Sequence, residues 1–566
     1  MDKRVIVFLV LSLAIILGFD FFMRQMGWLP EPPPVQDSSV QTPASSEREP
    51  TPAGTVGKDV GSASPNVSNQ PGQKSGAAAA SVALPVSEQT VTVETDLVRV
   101  ELSNLGGVIR SWELKRYNTA PPEVKPVQLV YQGGKFKGPL SLTVANADVD
   151  KMFREGLYNI EKDFTKLDAA HPIGHVTMRF HNAAAQIGVE KRLTFHHDSY
   201  LVDMSFAIEG MTESYDIGLG TNFGIVEWGD GFIGLIGSAS QVDNKVEKET
   251  PEKELERKGT VQWVALQDKY FLSVLMPKEG AAALAKTEEP KVVSAGVRMA
   301  ASGAASSVAL QLYAGPKEYD ILRSLDAGLE DMIDFGWFIY GSWTIVKSVA
   351  KPIFYVLRFI HEYVGNYGVT IILLTCMIKL LFVPLQYKSY KSMKMMRAIQ
   401  PKIKEVQEKY KGDRDRLNKE LMKLYRDQKV NPLGGFLPMF LQMPVFISLF
   451  NVLYMTIDLR QAPFMLWVHD LSVQDPFYVL PVLMGVTMFI QQKITPNTMD
   501  PTQAKIMLVL PIGMTFLFIN FPAGLVLYWL TNNTLTITQQ LVTDRFLLTD
   551  KALIAAGAEQ SSSSSA

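Results

Sequence analysis

One lysine, Lys379, sits inside an otherwise apolar run, VTIILLTCMIKLLFVPL, with Thr375 one helical turn before it. Residues four apart share a face of a helix, so a hydroxyl and an ammonium occupy one side of this segment. A charge within a segment long enough to cross a bilayer is expensive, which makes it a functional candidate by default. The acidic residues of the apolar segments, Asp20, Glu362 and Asp458, all lie near segment borders, so no fixed ion-pair partner is evident. The last apolar segment is unusually polar, with Thr531, Asn532, Asn533, Thr534, Thr536, Thr538, Gln539 and Gln540. Such groups face protein or water rather than lipid. The chemistry this suggests is electrostatic capture. A hydrated groove lined by Thr375, Lys379, Gln442, Asn532 and Asn533 would receive a polar or acidic segment in transit. The plainer alternative is a lysine that snorkels toward the nearer membrane face, six residues from Leu385.

Other chemistries find little support. There is no HExxH, no G-x-S-x-G and no phosphate loop, so neither an enzyme nor an ATP-driven pump is expected, and no cofactor or metal. His171, His175, His181, His196 and His197 lack ligand spacing, and Glu227, Trp228 and Asp230 read as a Gly-rich turn. The single cysteine, Cys376, rules out an intrachain disulfide. Net charge is −2, but unevenly spread.

The elements that must hold these residues follow in order. Residues 1–4 are a basic cytoplasmic start, and 5–23 form an apolar run. That run ends in Asp20 to Gln25 without the small-residue pattern of a cleavage site, so it reads as an uncleaved first span. Residues 24–88, rich in Pro, Ser, Ala and Gly, are a flexible linker. Period-two segments with turn residues between them then indicate an all-β sandwich over 89–318, in which VDNKVEKETPEKELERKG reads as a loop or short helix. Residues 319–358 read as an amphipathic helix region in the outer interface. Spans are expected at 359–385, 431–458, 477–491, 506–521 and 525–543, joined by outer segments 459–476 and 522–524 and an inner loop at 492–505. Between the first two of these spans, 386–430 carries fourteen Lys or Arg against six Asp or Glu. An excess of this kind belongs in the cytoplasm, and it orients the whole chain. Its apolar residues recur three or four apart on either side of Lys411-Gly412-Asp413, as in two helices joined by a tight turn. Its charge suits positive-inside orientation alone, or contact with anionic lipid or ribosomal RNA. The tail, 544–566, is then cytoplasmic. The expected fold is thus an α-helical polytopic bundle of six transmembrane helices with a large outer all-β domain.

Three segments carry a closer likeness: KVNPLGGFLPMFLQMPVFISLF (429–450), LRQAPFMLWVHDLSVQDPFYVLPVLMGVTMF (459–489) and FPAGLVLYWLTNN (521–533). The chain resembles the YidC/Oxa1/Alb3 family of membrane protein insertases, of Gram-negative type, over effectively its whole length. The resemblance implies insertion, folding and assembly of inner-membrane proteins, alone or beside the SecYEG translocon with SecDF. Ribosome–nascent chain complexes would meet the basic hairpin, membrane lipids surround the bundle, and no DNA is involved. It implies a periplasmic β-supersandwich, whose removal often leaves insertion largely intact in relatives. It places the family's groove cation at Lys379, where most bacterial relatives have arginine, and substrate-contacting aromatics at Tyr528 and Trp529, where a tyrosine pair is usual. By the same likeness Thr375, Phe436, Pro438, Gln442, Met443 and Phe446 line the groove. The long basic C-terminal tail of some relatives is lacking, which puts more of any ribosome contact on the hairpin and on Lys493 or Lys505. The competing reading is a secondary transporter or channel with a buried charged site; the transporter predicts an inverted repeat that the sequence does not display.

Overall fold

The computed structural model describes residues 87–119, 124–133, 136–227, 236–249, 251, 253–300, 305–333, 335, 344–428, 430, 437–495 and 501–547. The expected first span, nearly all of the linker and most of the C-terminal tail lie outside them.

Eighteen strands among the described residues form three antiparallel sheets of four, five and nine strands. The nine-stranded sheet runs, edge to edge, through Lys245–Glu249, Gly237–Val242, Val261–Gln267, Phe271–Pro277, Ala305–Pro316, Leu201–Glu209, Ile187–His196, Ile173–Asn182 and Asn159–Lys162. Period-two alternation sets which residues turn inward. In Ile187–His196 the inward positions are Ile187, Val189, Lys191, Leu193 and Phe195. The charged segment expected as a loop or short helix is instead strand. Lys245–Glu249 pairs with Gly237–Val242, and Leu255–Lys258 pairs with Ala281–Glu289. Both are edge strands, where charge on an open face is tolerated and discourages further pairing. Asp243 and Asn244, at φ 51° and 62°, make the two-residue turn that closes the first hairpin.

Lys191 is therefore carried into the core by its place in the alternation. Its Nζ donates to the carbonyls of Gly106 (3.2 Å), Gly107 (2.8 Å) and Leu140 (2.9 Å). It also lies 4.8 Å from the Tyr158 ring centroid and 5.8 Å from that of Phe206. Gly106 and Gly107 both have positive φ, the conformation that turns their carbonyls inward together.

The helical part begins with α1 (Ala147–Glu155) inside the β domain and α2 (Tyr319–Ser324) just after it. α3 (Thr344–Val364) buries Val346, Ala350, Ile353, Phe354 and Leu357 and exposes Lys347, Lys351 and Tyr355 on its other side. It ends later than the boundary expected at 358, because the chain breaks only at Gly365, with φ 68°. Asn366 then caps α4 (Tyr367–Lys409) by accepting from the Val369 amide at 3.1 Å. α4 passes without interruption through the expected boundary at 385–386, so the span and the first arm of the basic hairpin are one 43-residue helix. Pro384 and Pro401 lie within it. Asp413 caps the second arm, α5 (Arg414–Asp427). α6 (Leu437–Met455), α7 (Val479–Ile494), α8 (Pro501–Phe518) and α9 (Ala523–Val542) complete the set. α9 starts inside the turn expected at 522–524, two residues before the span expected from 525, with Pro522 as its first flanking residue. Among the described residues one helix, α4, is long and apolar enough to cross a membrane. The apolar stretches Gln442–Met455, Val479–Ile494 and Met507–Phe518 are shorter.

Buried polar ties hold α6 to α3 and the segment before it, and further contacts reach the β domain. Ser448 Oγ donates to Val346 O (2.9 Å), and Asn451 Nδ2 donates to Phe335 O (2.7 Å). Beyond α6, Arg460 and Gln461 both donate to Asn118 O in the four-stranded sheet, at 3.0 and 2.9 Å. Lys269, at a turn of the nine-stranded sheet, lies 3.6 Å from the Tyr454 ring centroid on α6.

Two predictions follow from these contacts. Burial without a facing carboxylate pushes the Lys191 amine down to about 7, against about 10.4 in an unfolded chain. Between those values the unfolded chain holds more protons, so the Lys191 contribution rises with pH above 7 and is flat below it. Calorimetry of the detergent-solubilised protein should show the β-domain midpoint rising from pH 7 to 9 more steeply than in Lys191→Met; equal slopes would contradict this. Asn451→Leu leaves a buried carbonyl unpaired and should cost about 1–3 kcal/mol, read as a lower unfolding midpoint of the helical part.

Candidate functional site

The buried face of α4 changes character along its length. It is mostly apolar through Gly368, Ile371 and Leu374, then polar at Thr375, Lys379, Gln386 and Ser389. Lys379 is 7% exposed. Its Nζ donates to Thr536 Oγ1 on α9 at 2.8 Å, and that hydroxyl in turn donates to Asn532 O at 2.6 Å. An ammonium has three donor protons, and Thr536 is the acceptor found for it among the described residues. No carboxylate lies within ion-pair distance of it among those residues.

A second set of side chains adjoins the first. Gln386 Nε2 donates to Gln442 Oε1 at 3.5 Å, and Gln442 Nε2 donates to Asn532 Oδ1 at 3.4 Å. α4, α6 and α9 thus share one polar strip, built from long amide contacts rather than short, well-aligned ones. Aromatic rings flank it. Phe446 on α6 packs against Trp529 (centroids 4.9 Å, near perpendicular) and Tyr528 (5.9 Å), and Phe518 of α8 closes on Trp529 at 4.6 Å. Tyr528 is buried, whereas Met443 is 39% exposed at the edge of this group.

The expected groove residues divide on this geometry. Lys379, Gln442 and Asn532 come together, with Phe446, Tyr528 and Trp529 beside them. Thr375 lies on the buried face, but its hydroxyl donates to Ile371 O within its own helix. Asn533 departs from expectation: its Nδ2 donates to Thr487 Oγ1 on α7 at 3.4 Å. Successive helical residues point about 100° apart, so Asn532 and Asn533 cannot share one wall. Pro438 belongs to the first turn of α6, and Phe436 lies outside the described residues. Thr536, Gln386 and Thr487 were not singled out as groove residues from the sequence. Thr536 follows Asn532 by one turn, and that spacing was the available signal.

Beyond the strip, Lys394 of α4 pairs with Asp544, just after α9, at 3.5 Å. In the β domain the described histidines face separate neighbours: His175 meets Thr194, His196 meets Asp203 and His197 meets Asp96. Glu227 lies 3.8 Å from Arg460 at the seam with the helices.

A β domain tied to a set of apolar helices, one of them long and apolar enough to cross a membrane and carrying a buried cation, is the architecture of a membrane protein with a large extramembrane domain. Comparison with known families agrees on both parts. Residues 359–550 match the family model of the 60Kd inner membrane protein, and residues 90–356 match that of the YidC periplasmic domain. The membrane protein insertase YidC of Oleidesulfovibrio alaskensis is 36% identical over 562 residues, covering 95% of this chain and 98% of that one. That of Syntrophus aciditrophicus is 37% identical over 559 residues, covering 95% and 99%. A crystal structure of an active YidC insertase aligns over 82% of this chain and 94% of its own, at 18% identity and a TM-score of 0.35. The chain belongs to the YidC family of membrane protein insertases.

Thr536→Val removes the acceptor of a charged donor and should lower stability by about 1.5–3 kcal/mol, whereas Thr536→Ser keeps it. Detergent-phase thermal unfolding of the two variants checks this, and equal midpoints would rule out a stabilising Lys379–Thr536 bond.

Proposed function

We propose that this insertase admits client segments along the polar strip of α4, α6 and α9, with Lys379 as its electrostatic centre. The observation that carries the reading is a lysine buried to 7% exposure whose described partner is one neutral hydroxyl. A buried cation braced only by a carboxylate pair would be self-satisfied. This one keeps donor capacity for an incoming carboxylate or carbonyl. Acidic and polar residues of a client's outer segment are drawn to it, and the apolar thickness they must cross shrinks. Little external energy is then needed for short outer segments. Phe446, Tyr528 and Trp529 supply a broad apolar flank for the client's hydrophobic segment.

In this reading the chain spans the inner membrane six times, with both termini in the cytoplasm and the β domain in the periplasm. It works without a cofactor and catalyses no bond change. Nascent inner-membrane proteins are its substrates, reached alone or beside SecYEG and SecDF. The basic hairpin of α4 and α5 is where ribosome–nascent chain complexes approach, since its charge suits RNA and anionic lipid alike.

Photo-cross-linkers at positions 379, 442, 528 and 529 should each capture a ribosome-stalled membrane segment. Lys379→Ala should impair clients with acidic outer segments more than strongly hydrophobic clients lacking them. Equal insertion of both classes, or capture at none of the four positions, would falsify the groove.

A further inference from the structure

The polar face of α4 does not stop at Lys379. It continues through buried Gln386 and Ser389 toward Lys394, which pairs with Asp544. Thr536, the partner of Lys379, and Asp544, the partner of Lys394, are eight residues apart. That separation is about 12 Å along a helix axis. The two cations therefore stand in sequence on one side of α4, both answered by the last helix or the turn after it. Lys394, nearer the hairpin, holds a carboxylate, and Lys379 a hydroxyl. Lys394 and Asp544 are 25% and 38% exposed, in contrast to the buried Lys379.

We propose that Lys394 is a second cationic contact for acidic client segments, lying on the cytoplasmic side of Lys379, and that Asp544 occupies it at rest. An ion pair between partly exposed side chains contributes little net stability, so an arriving carboxylate exchanges with Asp544 at small cost. The exchange puts the client's acidic residue at the head of a strip leading to Lys379, where no carboxylate among the described residues competes for it. Asp544 thus acts as an internal stand-in for the client's charge. This inference rests on the groove reading above and extends it outward by one station.

The full-length protein in proteoliposomes, supplied with one client carrying two carboxylates in its translocated segment and a matched client with amides there, tests it. Lys394→Gln should slow the acidic client about two- to five-fold and leave the amide client unchanged. Asp544→Asn should act in the opposite direction on the acidic client, speeding it by a similar factor. The double variant Lys394→Gln/Asp544→Asn should behave like Lys394→Gln alone. If both single variants slow both clients equally, the pair is a brace and the proposal is overturned. Lys379→Ala, run alongside, separates the two readings. Loss of charge preference there with none at Lys394 sinks only the second station; no charge preference at Lys379 sinks the groove itself.

Discussion

A single unbalanced cation organises the helical part. Placing a lysine at the centre of a spanning helix costs roughly 2.5–3.5 kcal/mol on insertion scales, and the surrounding helices are composed to offset that. α9 gives up apolar residues for Thr536 and Asn532, α6 contributes Gln442, and α4 itself becomes polar on its buried side beyond Leu374. The result is a strip of amides and hydroxyls that solvates a charge without neutralising it. A carboxylate partner would have neutralised that charge and taken up its remaining donors.

Lys191 in the β domain is an instructive contrast. It is more deeply buried than Lys379, and it too lacks a carboxylate among the described residues. Yet three backbone carbonyls and two ring faces receive it, so its donors are used up and it fastens the Gly106–Gly107 turn and Leu140 to the nine-stranded sheet. Two buried lysines in one chain thus play different parts. The number of acceptors turned toward each among the described residues separates a structural clasp from an ammonium with donors to spare.

Much of this was legible in the sequence, and what was missed has identifiable causes. Period-two patterning exposed the β domain because inward and outward residues alternate sharply, but it was silent where both faces are charged. The edge strands Lys245–Glu249 and Leu255–Lys258 were therefore read as loop or helix. The change from apolar to basic composition at 386 marked a change of surroundings, and α4 passes through that change without a break. Helical geometry is indifferent to solvent as long as neither glycine nor a cap interrupts it, and Gly365–Asn366 is where such an interruption occurs. At the site, residue type pointed to Lys379, Gln442 and Asn532. Which of Asn532 and Asn533 faces them depends on the rotation of α9 about its axis, which packing sets. Thr536 stands among the polar residues of the last segment but not in the expected groove, because one threonine among several carries no distinguishing mark until its neighbour across the helix pair is known.

The continuity of α4 has a mechanical consequence. Its 43 residues span about 65 Å, and Lys379 lies about 20 Å from the Asn366 cap that anchors the near end. A rigid rod pivoting there by about 10° sweeps its far end through about 11 Å while carrying Lys379 only about 3 Å. A displacement at the tip of the basic hairpin is thereby geared down between about three- and fourfold on its way to the buried ammonium, turning a coarse movement into a fine adjustment.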